Sequence, residues 1–151
     1  MRCAIAKGAS ACPKLLVMLV LLLLAACSRE APEAALRARV GTLADAITQH
    51  QPAAVQQHLA GDFVGNDGLD RDGARRLAMG FALRHRHIGL TLGPLDIDMG
   101  QAHATVRGTA ILRGGSGGAL PESAQVYEVE SGWRLEGGEW MLVSARWKPV
   151  L

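Results

Sequence analysis

The sequence predicts an α+β fold, three N-terminal helices packed on a curved four-stranded antiparallel sheet. Three observations carry that reading. Apolar residues recur at helical spacing from Leu36 to about His85. From Ile88 onward the apolar period changes to two. Glycine-containing turns at Gly100-Gln101 and Gly137-Gly138 then fold the second half back on itself as hairpins. Helices first and strands afterwards place the helices together on one face of the sheet.

The chain opens with a segment that has no place in that fold. Arg2, Lys7 and Lys14 precede the apolar run Leu15–Leu24, and Ala25-Ala26 supplies small residues for cleavage, the three parts of a secretory signal. As a helix the run would rise only about 15 Å against a hydrocarbon core of about 30 Å, so it predicts no membrane span. The junction Leu24-Ala25-Ala26-Cys27 resembles the cleavage box of bacterial lipoproteins. That resemblance implies a signal peptide over 1–26, lipid on Cys27, a lipidated tether over 27–32 and one folded domain over 33–151. Two or three acyl chains anchor where one holds only marginally. Ser28 at the second mature position implies the outer membrane, with the domain facing the periplasm.

Pro32 suits the first turn of a helix and Glu33 the positive end of its dipole. Leu36, Val40, Leu43, Ala44 and Ile47 follow as one apolar stripe to about Gln49. Pro52 opens a short second helix, Ala53 to Leu59, ending near Gly61. Asp62-Phe63-Val64 is a brief extended piece, and Gly65-Asn66-Asp67-Gly68 a turn. A third helix from Asp70 or Asp72 carries Leu77, Met79, Phe81 and Leu83, with Gly73 and Gly80 against it.

In the strand half, Ile88, Leu90 and Leu92 alternate, and Leu95, Ile97 and Met99 resume one position out of phase. A bulge at Gly93-Pro94 would return both sets to one face. Ala102, Ala104, Val106, Gly108, Ala110 and Leu112 form a small apolar face that lets helices approach closely. Gly114–Ser123 is a glycine-rich loop. Tyr127, Val129, Ser131, Trp133 and Leu135 alternate with charge, and Trp140 to Trp147 is the last strand.

Removing the signal leaves 13 basic against 14 acidic residues, so no net positive charge points to nucleic acid. Cys3 and Cys12 leave with it and Cys27 is taken by lipid. The domain therefore has no disulfide, thiolate metal site or cysteine nucleophile.

The helix stripe Leu36–Ile47, the Leu59-Ala60-Gly61-Asp62-Phe63 segment and the hairpin Trp133-Arg134-Leu135-Glu136-Gly137-Gly138-Glu139-Trp140 together resemble the nuclear transport factor 2-like, or SnoaL-like, superfamily. The resemblance implies a cone-shaped α+β barrel around a helix-capped pocket, and dimerisation through the outer sheet face. Isomerase-type members carry a tyrosine on the first helix and carboxylates in the pocket. This chain has one tyrosine, Tyr127, and it falls in a strand.

Other site readings weigh less. Asp62 at a helix end is first a turn or cap residue and second a catalytic base. His85-Arg86-His87 reads as a solvated junction sooner than a metal site. Trp133, Trp140 and Trp147 are core or dimer contacts sooner than an aromatic cage. Ser116 and Ser123 lack a nucleophile elbow, and Gly114–Gly118 is no phosphate loop.

The expectation is therefore a lipid-anchored binding or accessory domain. Phe81, Tyr127, Trp133 and Trp140 are its pocket candidates, no catalytic residue is assigned, and no cofactor or metal is expected. Its ligand would be a small apolar molecule or a periplasmic protein, and the resemblance implies a homodimer. A dimeric assembly factor would meet its partner through Thr105, Arg107 and Thr109. The alternative is a small isomerase, cyclase or dehydratase using a pocket carboxylate or histidine.

Overall fold

Proline sets where the first two helices begin. The computed structural model describes residues 32–116 and 123–150. The expected signal peptide, Cys27 and the tether up to residue 31 lie outside the described residues, as does part of the glycine-rich loop. Helix α1 spans Pro32–Thr48 with Glu33 in its first turn, where Arg37 ion-pairs with it at 2.8 Å. Its stripe buries Leu36 completely and Ala46 nearly so.

The end of α1 departs from the usual chemistry. His50 adopts a left-handed backbone, φ 57°. Its N–H donates to the Ile47 carbonyl at 3.2 Å, and the Gln51 N–H donates to the Ala46 carbonyl at 2.9 Å. These are the two bonds of a Schellman motif, whose left-handed position glycine normally takes.

Helix α2 is Pro52–Gln57 and strand β1 is Leu59–Val64. The expected second helix thus stops two residues early. Leu59 instead opens a strand that runs parallel to the last one, opposite Leu142. A short 3-10 turn, Asn66–Gly68, places Asp67 and Gly68 at φ 54° and 76°. The Asn66 side chain prolongs the sheet edge, its Nδ2 donating to the Trp147 carbonyl at 2.6 Å and its Oδ1 accepting from the Trp147 N–H at 3.2 Å.

Helix α3, Arg71–Arg84, starts where the Asp70 carboxylate accepts from the Gly73 N–H at 2.6 Å. Gly73 has a reason to be glycine: a Cβ there would sit 2.9 Å from both Asp70 Oδ1 and the Leu69 side chain. The residue counted against the helix is the one its tight cap requires.

Strands β2 (His87–Leu92), β3 (Asp96–Met99), β4 (His103–Gly115), β5 (Ser123–Glu136) and β6 (Glu139–Pro149) complete one sheet of order β1-β6-β5-β4-β2, with β3 beside β2 along β4. The sheet therefore has six strands rather than four, because β1 joins it and the first long strand is cut by Gly93-Pro94. Leu92 pairs with Ala110 and Asp96 with Arg107, four steps on one strand against three on the other. That single extra residue is a bulge. It keeps Leu92 opposite Ala110 and Ile97 opposite Val106, so both apolar sets share a face. Gly93 itself allows the close pass, since a Cβ would lie 2.3 Å from the Thr109 hydroxyl. The β3–β4 turn sits one residue later than expected: the Gly100 N–H donates to the His103 carbonyl at 2.7 Å, which leaves Gln101 and Ala102 at the corner.

The core gathers where α1 and β1 meet the long strands. Leu36, Leu59, Phe63, Ala104, Val106, Trp133, Trp140 and Leu142 form it. The Trp133 indole N–H donates to Ser131 Oγ at 3.0 Å, and that hydroxyl reaches the Val106 carbonyl at 3.3 Å. A buried tryptophan thereby has its one polar group satisfied.

Candidate functional site

The concave sheet face and the helices enclose a cavity of about 460 Å³. Alternation in β4 and β5 supplies its floor, since Val106, Ala110, Tyr127, Val129 and Trp133 all point the same way. Val40, Leu43 and Ile47 of α1 form one side, and Leu77, Ala78 and Phe81 of α3 another. Small residues at Gly108 and Ala110 leave room that larger side chains would fill. Leu77 belongs to the wall yet is 49% exposed, so the cavity meets solvent along α3.

The chemistry of the wall is simple. Among the described residues lining it there is no Asp, Glu, Lys, Arg or Cys. Its polar side chains are His50, Gln51, Thr109, Tyr127, Ser131 and the indole N–H groups of Trp133 and Trp147. Ser131 and Trp133 are spent on each other. Gln51 faces solvent and binds Gln49 at 3.1 Å.

Thr109 is exposed and falls on the face of β4 opposite Gly108 and Ala110; His50, Tyr127 and the Trp147 indole remain. His50 Nε2 lies 2.9 Å from the His85 carbonyl oxygen. A carbonyl only accepts, so Nε2 carries the hydrogen, and Nδ1 is the acceptor of the neutral tautomer this bond selects. One bond thus fixes the tautomer and clips the end of α1 to the end of α3. The Tyr127 hydroxyl has no hydrogen bond to any described residue. It sits on β5 opposite Ala110 of β4 and Pro149 of β6.

The structure distributes the candidates unevenly. Phe81, Tyr127 and Trp133 are on the cavity wall, with the Phe81 ring 4.4 Å from that of His85. Trp140 is not on the wall. It is sealed in the core, and its carbonyl accepts from Arg39 Nε at 3.1 Å. Cys27 lies outside the described residues.

Asp62 is neither a cap nor a cavity group. It is exposed on β1, where Arg134 donates to both its oxygens at 2.8 and 3.0 Å. Those bonds hold its carboxyl below the usual carboxylate range. Asp96 and Asp98 are exposed on β3. Among the described residues no group of three or more His, Cys, Asp or Glu is placed to hold a metal ion.

Two histidines escaped pattern reading. His50 follows the stripe of α1 and precedes Pro52, a position that marks a helix end without marking a site. His58 is buried, and its Nδ1 has no hydrogen-bond partner. Burial first and Arg39 second push its pKa below the ordinary value of 6.5, against a smaller opposing pull from Glu139. It stands off the cavity wall, where its carbonyl accepts from the Leu142 N–H at 2.9 Å.

An uncharged, greasy cavity cannot hold an ion, because an unpaired charge moved into it loses its hydration without repayment. It suits an apolar molecule held by contact, with one or two polar groups to orient it.

Comparison with known proteins agrees on the fold. No protein-family model and no curated protein matches this sequence. Solved structures do. A nuclear transport factor 2-like protein with a cystatin-like fold from Novosphingobium aromaticivorans has a TM-score of 0.64 at 14% identity, over 95% of this chain and 92% of its own. A candidate dehydratase of the same family from Streptomyces avermitilis has 0.66 at 16%, over 78% and 94%. Bd1075 from Bdellovibrio bacteriovorus has 0.67 at 11%, over 76% of this chain but only 40% of that longer one. Helices over a curved sheet, a cavity between them and these neighbours together assign the described residues the nuclear transport factor 2-like, cystatin-like fold.

Proposed function

We propose that this chain is a lipid-anchored, periplasm-facing binding domain whose cavity takes a small, uncharged and mainly apolar molecule. The observation that carries the binding half is the wall itself, which offers apolar contact and a few polar side chains but no Asp, Glu, Lys or Arg. The anchoring half rests on Leu24-Ala25-Ala26-Cys27 following an apolar run. A cavity of about 460 Å³ lies in the range that holds drug-sized ligands.

The test uses the full chain in lipid nanodiscs and the uncharged probe N-phenyl-1-naphthylamine. Saturable fluorescence enhancement is expected, weakened by about tenfold when Ala110→Phe removes the space for one well-buried group. Equal enhancement from parent and variant would show the probe in lipid alone and end the binding reading. Mass spectrometry of the mature amino terminus tests the anchor separately: diacylglyceryl on Cys27 supports it, a free thiol there refutes it.

A second reading has one observation in its favour. His50 lines an apolar cavity, and the bond of its Nε2 to the His85 carbonyl leaves Nδ1 as the nitrogen able to accept a proton. That is the arrangement of a general base, and its left-handed backbone is a strain of the kind found at functional sites. The reading is a small enzyme of the isomerase, cyclase or dehydratase kind, a class to which two structural neighbours are assigned as candidates. His50→Gln keeps the size and a donor while removing the base. Turnover lost with probe binding intact would establish this reading; turnover unchanged would dismiss it.

A further inference from the structure

The outward side of α3 combines exposed apolar side chains with arginines. Met79 and Leu83 are one helical turn apart and therefore stacked on one face. They are 41% and 83% exposed. Segment 71–87 carries five arginines against one acid, Asp72. Arg71 is turned inward, its Nε donating to the Gln56 and Leu59 carbonyls at 3.2 and 3.1 Å. Asp72 is likewise engaged, accepting from Gln56 Nε2 at 2.6 Å.

The remaining four are free of acids. Arg75, Arg76, Arg84 and Arg86 form no ion pair with a described residue. On the sheet, Arg107, Arg134 and Lys148 each sit within 2.8 Å of a carboxylate, while Arg113 and Arg146 form no ion pair with a described residue. Open positive charge is densest along segment 75–86, which holds four such arginines.

We propose that the α3 ridge, Met79 and Leu83 flanked by Arg75, Arg76, Arg84 and Arg86, docks on an anionic lipid bilayer. A ridge of two apolar side chains is far too small for a stable protein interface, which buries about 1,200 Å² or more. It is the right size to enter the headgroup boundary, where apolar side chains insert and guanidinium groups meet lipid phosphates. Nucleic acid would use the arginines but leave Leu83 in water. A bilayer uses both. Leu77, two residues before Met79 and so about 160° round the helix from it, lines the cavity with Ala74, Ala78 and Phe81 on the opposite side, so the docking is independent of what the cavity binds.

The experiment puts an indole on the ridge of the full chain as Leu83→Trp, at a position too exposed to matter for folding. Vesicles are phosphatidylcholine with or without one quarter phosphatidylglycerol, and the readout is quenching by brominated acyl chains in excess of that seen for the parent chain. Flotation in the same samples reports whether the chain is attached at all. Excess quenching is expected on the anionic vesicles. An arginine near an anionic surface strengthens adsorption by about fivefold, so Arg75→Gln with Arg76→Gln should abolish most of the excess while flotation persists through the lipid anchor. Equal quenching with and without phosphatidylglycerol would overturn the role of the arginines. No excess quenching on chains that do float would overturn docking and leave anchoring intact, and chains that fail to float refute both. A blue shift that grows with protein concentration in the absence of vesicles would assign the ridge to a second copy and overturn the proposal.

Discussion

Helices α1 and α3 wall the same cavity and are held to it in opposite ways. Along its length α1 is packed inward. Leu36 is fully buried, and two guanidinium groups tie α1 to both sides of the sheet, Arg39 to the Trp140 carbonyl at 3.1 Å and Arg37 to the Leu95 carbonyl at 3.4 Å. Helix α3 is held at its ends. The Asp70 cap and Arg71 fix its start, the His50–His85 bond fixes its finish, and between them Gly73 is its one buried residue. A helix fixed at its ends with an open middle is drawn from the weakly stabilised part of a structure, where ligands enter. The comparison teaches that one helix belongs to the scaffold and the other to the doorway.

The sharpest way to break that contrast is to remove the anchor of α1. Leu36→Ala deletes a side chain with no exposed surface and leaves a cavity in its place, which costs about 2–5 kcal/mol. Urea unfolding should show the lower midpoint with an unchanged slope. A loss below about 1 kcal/mol would mean that α1 is no more a scaffold element than α3.

A smaller effect is expected at the hinge between the helices. His50→Ala and His50→Gly both lose the imidazole, so their difference isolates the backbone. With φ at 57°, glycine should exceed alanine in stability by about 1 kcal/mol. Equal midpoints would show that the left-handed turn is not retained without the ring.

How much of this was legible depended on where the decisive partner lay in the chain. The stripe of α1 and the alternation of β4 are local periodicities, and Ala104, Val106 and Ala110 are buried as that alternation requires. The border between α2 and β1 was misplaced because six helical residues carry too little period. Leu59 is made a strand residue by Leu142, far along the chain. His50 was missed because a helix end is normally announced by glycine or asparagine, and a histidine there looks like ordinary polar sequence. Three of the four aromatic candidates line the wall, whereas Trp140, alike in sequence, turns into the core instead. A net charge near zero likewise concealed α3, since total charge is blind to where cations gather.

His58 supplies a pH test of the scaffold side. Its pKa is lowered in the folded protein by burial and by Arg39, so the unfolded chain takes up its proton more readily. Stability contributed by neutral His58 is present above about pH 6.5, its ordinary value, and drains away as pH falls from there toward the lowered folded value. Urea midpoints should therefore decline from pH 7.5 to pH 5.5, and His58→Phe should flatten that decline. An equally steep decline in the variant would place its origin elsewhere.

The smallest effect belongs to the doorway, and its smallness is the point. Leu83 is 83% exposed, so Leu83→Ala removes almost no buried surface and should change stability by less than about 0.5 kcal/mol in water. The same is expected of Met79→Ala. If either residue instead proved costly in the isolated chain, the ridge would be part of the core and α3 would rejoin the scaffold. An apolar side chain kept on an exposed turn, contributing nothing to folding and ringed by unpaired arginines, is held for something outside the fold. That is the physical meaning of the difference between the two helices: Leu36 is explained by the interior it fills, and Leu83 only by the surface it meets.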